Sequence, residues 1–138
     1  MKQKFVLDAC VLIALLRKEA GSEEITTLLQ DAAGNKIELL LHKATLVEVY
    51  YDTLRASGKQ SADNSLGVVK ALPITLYDAI DDSFIQTMGK YKVHHKISFA
   101  DAFVLALAET QSATVVSSDH HEFDAVARAG ILSFRFIR

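Results

Sequence analysis

Four acidic residues stand directly behind apolar runs in this chain. Asp8 interrupts KFVLDACVLIALL at residues 4–16, Glu48 lies in TLVEVYYDTL, Asp101 in SFADAFVLALA, and Asp119 follows ATVVSS at 113–118. A carboxylate cannot be buried without a compensating partner, so each must sit at the end of an element or meet positive charge. Acids at helix starts ordinarily serve as caps or complement the helix dipole. Thr45-Leu-Val-Glu48, Ser98-Phe-Ala-Asp101 and Asp119-His-His-Glu122 all match or approach the capping-box pattern. Four such carboxylates gathered on one edge would also repel one another. Hard divalent cations relieve that repulsion, and Mg²⁺ or Mn²⁺ suits a site made of carboxylates and water. Caps and ligands are not exclusive roles.

The elements that would gather them can be read from periodicity. Residues 4–7 form a strand candidate, and 9–19 a helix closed by Gly21. SEEITTLLQDAA before Gly34 fits a helix, 37–42 (IELLLH) a strand, and 46–56 a helix stopped by Ser57 and Gly58. KQSADNSLGVV reads as helical with loose ends, and ALPITLY at 71–77, with the only proline, as a short strand or extended link. DAIDDSFIQTMGKY is amphipathic, and KYKVHHK at 90–96 reads as a basic loop leading into the SFADAFVLALAETQSA helix. ATVVSS is a buried-strand pattern, HHEFDAVARAG a helix ending in glycine, and SFRFI a closing strand. Strands separated by helices imply parallel pairing and a three-layer α/β/α sandwich around a mainly parallel sheet. In such folds the strand ends and following helix starts share one edge, where ligands bind.

Composition narrows the class. The chain has 138 residues, half of them apolar and 23% charged, which fits one compact domain over residues 1–138. The single cysteine, Cys10, cannot pair within the chain, so a reducing cytoplasm is the expected compartment. Lys2 and Lys4 precede an apolar run, but Asp8 breaks it and no clean cleavage site follows, against a signal peptide. No run is long enough to span a membrane, and none is expected to. A formal charge of -2 excludes a uniformly basic nucleic-acid coat while leaving room for a local basic rim.

Taken in order and spacing, the four acidic motifs resemble the PIN-domain ribonucleases, especially the VapC-type toxins of bacterial and archaeal toxin-antitoxin pairs. The resemblance spans essentially the whole chain. It implies a metal-dependent endoribonuclease with Asp8, Glu48, Asp101 and Asp119 as its acidic quartet, Ser117 as the small hydroxyl residue two positions before the last acid, and Asp124 as an auxiliary acid. Cys10 departs from the pattern, since relatives often carry serine, threonine or asparagine there. Implied partners are an RNA substrate, transfer RNA being the common class, a cognate antitoxin whose tail folds over the toxin, and a second copy of the chain as a homodimer.

Phosphodiester hydrolysis needs an activated water, neutralised phosphate charge and a stabilised leaving alkoxide, which one or two cations supply without a nucleophilic side chain. In this reading Asp8, Asp101 and Asp119 hold the metal, and Glu48 helps to hold a second ion or orients the attacking water. The products would carry 5′-phosphate and 3′-hydroxyl ends. Histidine-based cleavage through the 2′-hydroxyl is the rival, raised by His94-His95 and His120-His121. Neighbouring residues on a helix diverge, which disfavours zinc binding by either pair and leaves solvent-facing or substrate-contacting roles. Lys90, Lys92 and Lys96 with Tyr91 fit either a basic RNA-binding rim or a merely solvated loop. A Mg²⁺-binding receiver-like signalling domain and a catalytically inactive PIN-fold RNA-binding module are the alternative functions.

Overall fold

The computed structural model describes residues Met1–Arg138. Five short strands, β1 (Gln3–Leu7), β2 (Ile37–His42), β3 (Thr75–Tyr77), β4 (Thr114–Ser117) and β5 (Phe134–Phe136), pair in the order β3-β2-β1-β4-β5, every pair parallel. Seven helices connect and flank them: α1 (Ala9–Arg17), α2 (Ser22–Ala33), α3 (Lys43–Ser57), α4 (Lys59–Ala71), α5 (Asp82–His94), α6 (Phe99–Gln111) and α7 (His120–Arg128). None of them is long and apolar enough to cross a membrane.

Both faces of the sheet are covered, which is why its central strands read as unbroken apolar runs. Phe5 and Leu7 of β1, Leu39 and Leu41 of β2 and Val116 of β4 pack against α1 to α4. Their alternates, Val6, Leu40 and Val115, pack against α5, α6 and α7, where Phe103, Leu107 and Phe123 are buried. Strand alternation thus divides one apolar segment between two cores. The result is a three-layer α/β/α sandwich.

The chain lays β2 and β3 on one side of β1, then crosses to lay β4 and β5 on the other. Strand order therefore reverses between β1 and β4, the place where open parallel sheets leave a crevice beyond their carboxyl ends. Leu7 stands opposite Val116 at that junction, so the residues just beyond, Asp8 and Asp119, emerge side by side.

Several boundaries differ from the sequence reading. The helix expected from residue 46 begins at Lys43, because His42 caps it: its Nδ1 accepts the Ala44 N–H at 3.0 Å. Thr45 is therefore already inside the helix, not a capping-box residue, and Glu48 lies in the second turn. The basic loop at 90–96 is a correction of another kind. Residues Lys90 to His94 continue α5, which stops only at His95. Helical spacing carries Tyr91 inward, where it is 1% exposed, so it cannot stack on RNA. Its hydroxyl donates to Glu109 at 2.8 Å, Lys90 pairs with the same carboxylate at 2.6 Å, and Lys92 donates to the Ile97 carbonyl. These contacts bind the end of α5 to α6 and to the turn between them.

Gly21 joins α1 to α2 at φ +94°, and a Cβ there would lie 2.7 Å from Ile137 Cδ1 and 3.2 Å from the Ile137 carbonyl oxygen. Gly130 also has positive φ but faces open space. Urea unfolding should show Gly21→Ala losing about 2–3 kcal/mol and Gly130→Ala about 1 kcal/mol, the difference reporting the lost space.

Candidate active site

Asp8 ends β1 and caps α1, with Oδ1 accepting the Ala9 N–H at 2.8 Å. The carboxylate is buried, 3% exposed, and its other oxygen is held from the side of β4. Oδ2 accepts the Ser117 hydroxyl at 2.9 Å and the Cys10 thiol at 3.1 Å. Behind these donors stand two backbone amides: Asp119 N–H donates to Ser117 Oγ at 2.9 Å, and Ser118 N–H to Cys10 Sγ at 3.4 Å. Two parallel relays thus run from the β4–α7 junction to a single carboxylate oxygen. Cys10 supplies a donor where serine, threonine or asparagine was the expected residue. Burial, then the charge of Asp8, pushes the thiol up to about 11, so it remains protonated and able to donate.

The other acids face the same crevice from different elements. Ser98 caps α6 by accepting the Asp101 N–H at 3.0 Å, which sets Asp101 in the first helical turn. Asp119 caps α7 and accepts the Glu122 N–H at 3.0 Å. Asp101, Asp119 and Glu122 bring carboxylate oxygens within 4.8 Å of one another. Glu122 was assigned in the sequence only to a capping box; the three-residue step that makes it a cap partner of Asp119 also puts both acids on one helix face. Asp8 and Glu48 lie outside that close trio but within reach of its field. Asp119 raises the carboxyl of Asp8, while Asp8 raises those of Glu48 and Asp101.

Burial and mutual repulsion act together here. Asp101 is pushed up to about 8, first by burial and then by Asp8, with Glu122 and Glu48 adding to it against the stabilising Ser98 contact. Glu48 rises to about 7, by burial, then Asp8, Asp52 and Asp119. Asp8 is raised chiefly by burial, despite its hydrogen bonds. No protein cation answers this charge: the seven ion pairs of the chain involve none of the five acids. The arginine closest in role, Arg17, is held by Asp52 at 2.8 Å. An all-oxygen donor set, buried at Asp8 and Asp101 and half-buried at Glu48, Asp119 and Glu122, convergent and without a basic partner, fits a hard divalent cation.

The remaining sequence candidates lie elsewhere. Asp124 binds His120 Nδ1 at 2.9 Å, and His120 Nε2 lies 2.7 Å from the Arg138 carbonyl oxygen. His120 also stacks on Phe136, with centroids 4.1 Å apart, so it ties α7 to the end of the chain. His42, absent from the sequence candidates, is buried between Phe84 and Phe103 and bonds the Ala79 carbonyl through Nε2.

Crowded acids at the switch point of an all-parallel sheet invite comparison with known proteins. The PIN domain family matches residues 5–129. This chain belongs to the PIN domain family. That membership leaves no place for a receiver-like reading. Among curated proteins, none matches the sequence. Among solved structures, the PIN-domain chain is similar to one in VapBC2 from Rickettsia felis bound to a DNA fragment from their promoter, with 15% identity, TM-score 0.78 and coverage of 97% of this chain and 98% of the other. It is similar to one in DNA-bound VapBC from Salmonella typhimurium, with 17% identity, TM-score 0.72 and 99% of each chain covered. It also resembles Mycobacterium tuberculosis VapC20, a sarcin-ricin loop cleaving toxin, with 18% identity, TM-score 0.66 and coverage of 88% and 94%. At these identities the likeness is one of fold.

Two outcomes follow for the metal-free protein. Its folded form keeps protons on Asp101 and Glu48 that the unfolded chain releases near the ordinary values of 3.8 and 4.5. Stability therefore falls as pH rises from about 4 to about 8, the range in which the folded chain binds more protons. Thermal melts in EDTA should show a lower Tm at pH 8.5 than at pH 5.5, with a shallower slope in Asp101→Asn. Cys10→Ala, which strips Asp8 Oδ2 of one donor, should cost about 1–2 kcal/mol in urea unfolding, and Cys10→Ser should recover most of it.

Proposed function

We propose that this PIN-domain chain is a divalent-metal-dependent endoribonuclease, the toxin of a toxin-antitoxin pair, with residues 1–138 as one catalytic domain. The observation that carries the reading is the convergence of Asp8, Glu48, Asp101, Asp119 and Glu122 with no protein cation among them. A binding-only domain would not need this repulsion, whereas a nuclease does. The intact set of acids thus speaks against the inactive RNA-binding alternative.

Asp8, Asp101 and Asp119, joined by Glu122, would hold Mg²⁺ or Mn²⁺ directly or through water. A bound divalent cation supplies positive charge to the scissile phosphate and lowers the pKa of coordinated water. Asp8 is oriented for this by the Cys10 and Ser117 donors, which occupy Oδ2 and fix its rotamer. Glu48, raised to about 7 while no cation is bound, would orient the attacking water from α3 and accept its proton. Ser98 and Asp119 fix the starts of α6 and α7, so these carboxylates need little reorganisation when substrate arrives. A metal-activated water needs no serine or cysteine nucleophile, and the Cys10 thiol is committed to Asp8.

The solved VapBC complexes support a cognate antitoxin as partner, and VapC20 supports a structured RNA as target. For this chain we propose transfer RNA or a ribosomal RNA loop, since splayed single-stranded bases are what a protein can read in RNA. A homodimer working in the cytoplasm completes the proposal.

Cleavage of total transfer RNA and ribosomal RNA is the direct test, in Mg²⁺ or Mn²⁺ and in EDTA, with Asp8→Asn and Asp101→Asn beside the wild type. The expected result is metal-dependent cutting that leaves 5′-phosphate ends and drops at least about 100-fold in both variants, folding being retained. Equal cutting by the variants, or 2′,3′-cyclic phosphate ends, would overturn the acidic mechanism.

A further inference from the structure

Lys90, Tyr91 and Lys92 are committed to internal contacts, so they leave open which residue meets the bases of a nucleic-acid strand. Of the seven phenylalanines, six are buried or half-buried. Phe99 is the exception, 67% exposed. A lone exposed apolar side chain is ordinary in itself. Three further observations set this one apart.

The first is its support. Phe99 meets Phe103 edge to face, with centroids 5.3 Å apart and an interplanar angle of 89°. Phe103 is 7% exposed and is itself wedged against His42 at 4.9 Å and Phe84 at 5.9 Å. A T-shaped contact covers at most one face of a ring. Phe99 thus offers a free aromatic face on a rigid aromatic stack, at little conformational cost to a ligand.

The second is its place. Phe99 is the first residue of α6, between the Ser98 cap and the site residue Asp101. The hydrogen bond that sets Asp101 therefore also fixes the backbone that carries Phe99. The third is charge. Lys96, three residues earlier, is exposed and forms no ion pair. A flat apolar face in the same helical turn as Asp101, with an unpaired lysine three residues before it in the chain, matches a nucleotide: a base to stack and a phosphate to neutralise.

We infer that Phe99 is a base-stacking platform that seats one nucleobase of a single-stranded RNA segment beside the acidic site, with Lys96 meeting its backbone. The inference rests on the ribonuclease reading and adds the residue through which that site grips its substrate. Stacking tolerates any base, so Phe99 sets the reach of the strand and leaves its sequence open.

The chain has no tryptophan, so Phe99→Trp introduces a single fluorescent reporter at the platform. In a Phe99→Trp/Asp101→Asn background with Mg²⁺, a mixed-sequence single-stranded oligoribonucleotide should quench the emission saturably, in step with filter binding. With Asp101 intact, Phe99→Ala should raise KM by roughly 5- to 150-fold, the range expected for one lost base–aromatic stack, with kcat changed less. Phe99→Tyr should restore KM, and Phe99→Ala should remain folded with only a small fall in Tm, that of the lost contact with Phe103. Unchanged KM in Phe99→Ala, or unchanged emission while RNA is bound, overturns the platform and leaves the nuclease reading standing. Quenching without any cleavage by the wild type keeps the platform and removes the nuclease. If no RNA is bound or cut at all, both fall.

Discussion

Every part of the crevice depends on keeping a carboxylate, Asp8, where carboxylates are hard to keep. The cost of burying it is partly offset by three donors: the Ala9 amide and the Cys10 thiol of α1 and the Ser117 hydroxyl of β4. Those donors are fixed in turn by the amides of Ser118 and Asp119. The relays join the two strands between which the sheet changes direction, so a local electrostatic problem is solved by the global topology. Asp101 and Glu48 then inherit the field of Asp8, and their raised affinities for protons follow from its position as much as from their own burial.

That arrangement also explains why the site carries no protein cation. A lysine or arginine reaching the crevice would satisfy the acids and make the fold more stable, but it would end their ability to hold an exchangeable ion. Arg17 is held by an acid whose charge reaches Glu48: it is paired with Asp52, one turn along α3, and not with the crevice acids. The crevice remains electrostatically unfinished, with its acids raised by burial and by one another and no protein cation to relieve them.

Much of this was legible in the residues. Asp8 inside an apolar run pointed to a strand–helix junction, and the unbroken apolar strands pointed to a sheet covered on both faces; the parallel sandwich and its PIN-domain membership follow that reading. What escaped it was set by contacts distant in sequence. His42 starts α3 earlier than pattern suggests because its ring is held by Phe84, Phe103 and the Ala79 carbonyl. The 90–96 segment looks like a loop because lysines and histidines crowd it, yet Tyr91 and Lys90 find Glu109 on α6 and prolong the helix. Glu122 resembled an ordinary cap partner until β4 brought its helix start against that of α6. Cys10 looked like a weak substitute, and only the distance from Sγ to Asp8 reveals it as a donor.

The central position of β1 has a consequence for synthesis. Of the five strands β1 is made first, but its second neighbour, β4, is more than a hundred residues away, and the Ser117–Asp8 bond closes a separation of 109 residues. Contacts this distant form late, after the intervening chain has been ordered. A nascent chain thus holds the halves of its crevice apart until the start of α7 is free. Sequence order acts as a timing device: the acids come together only once the strands on both sides of β1 have been synthesised.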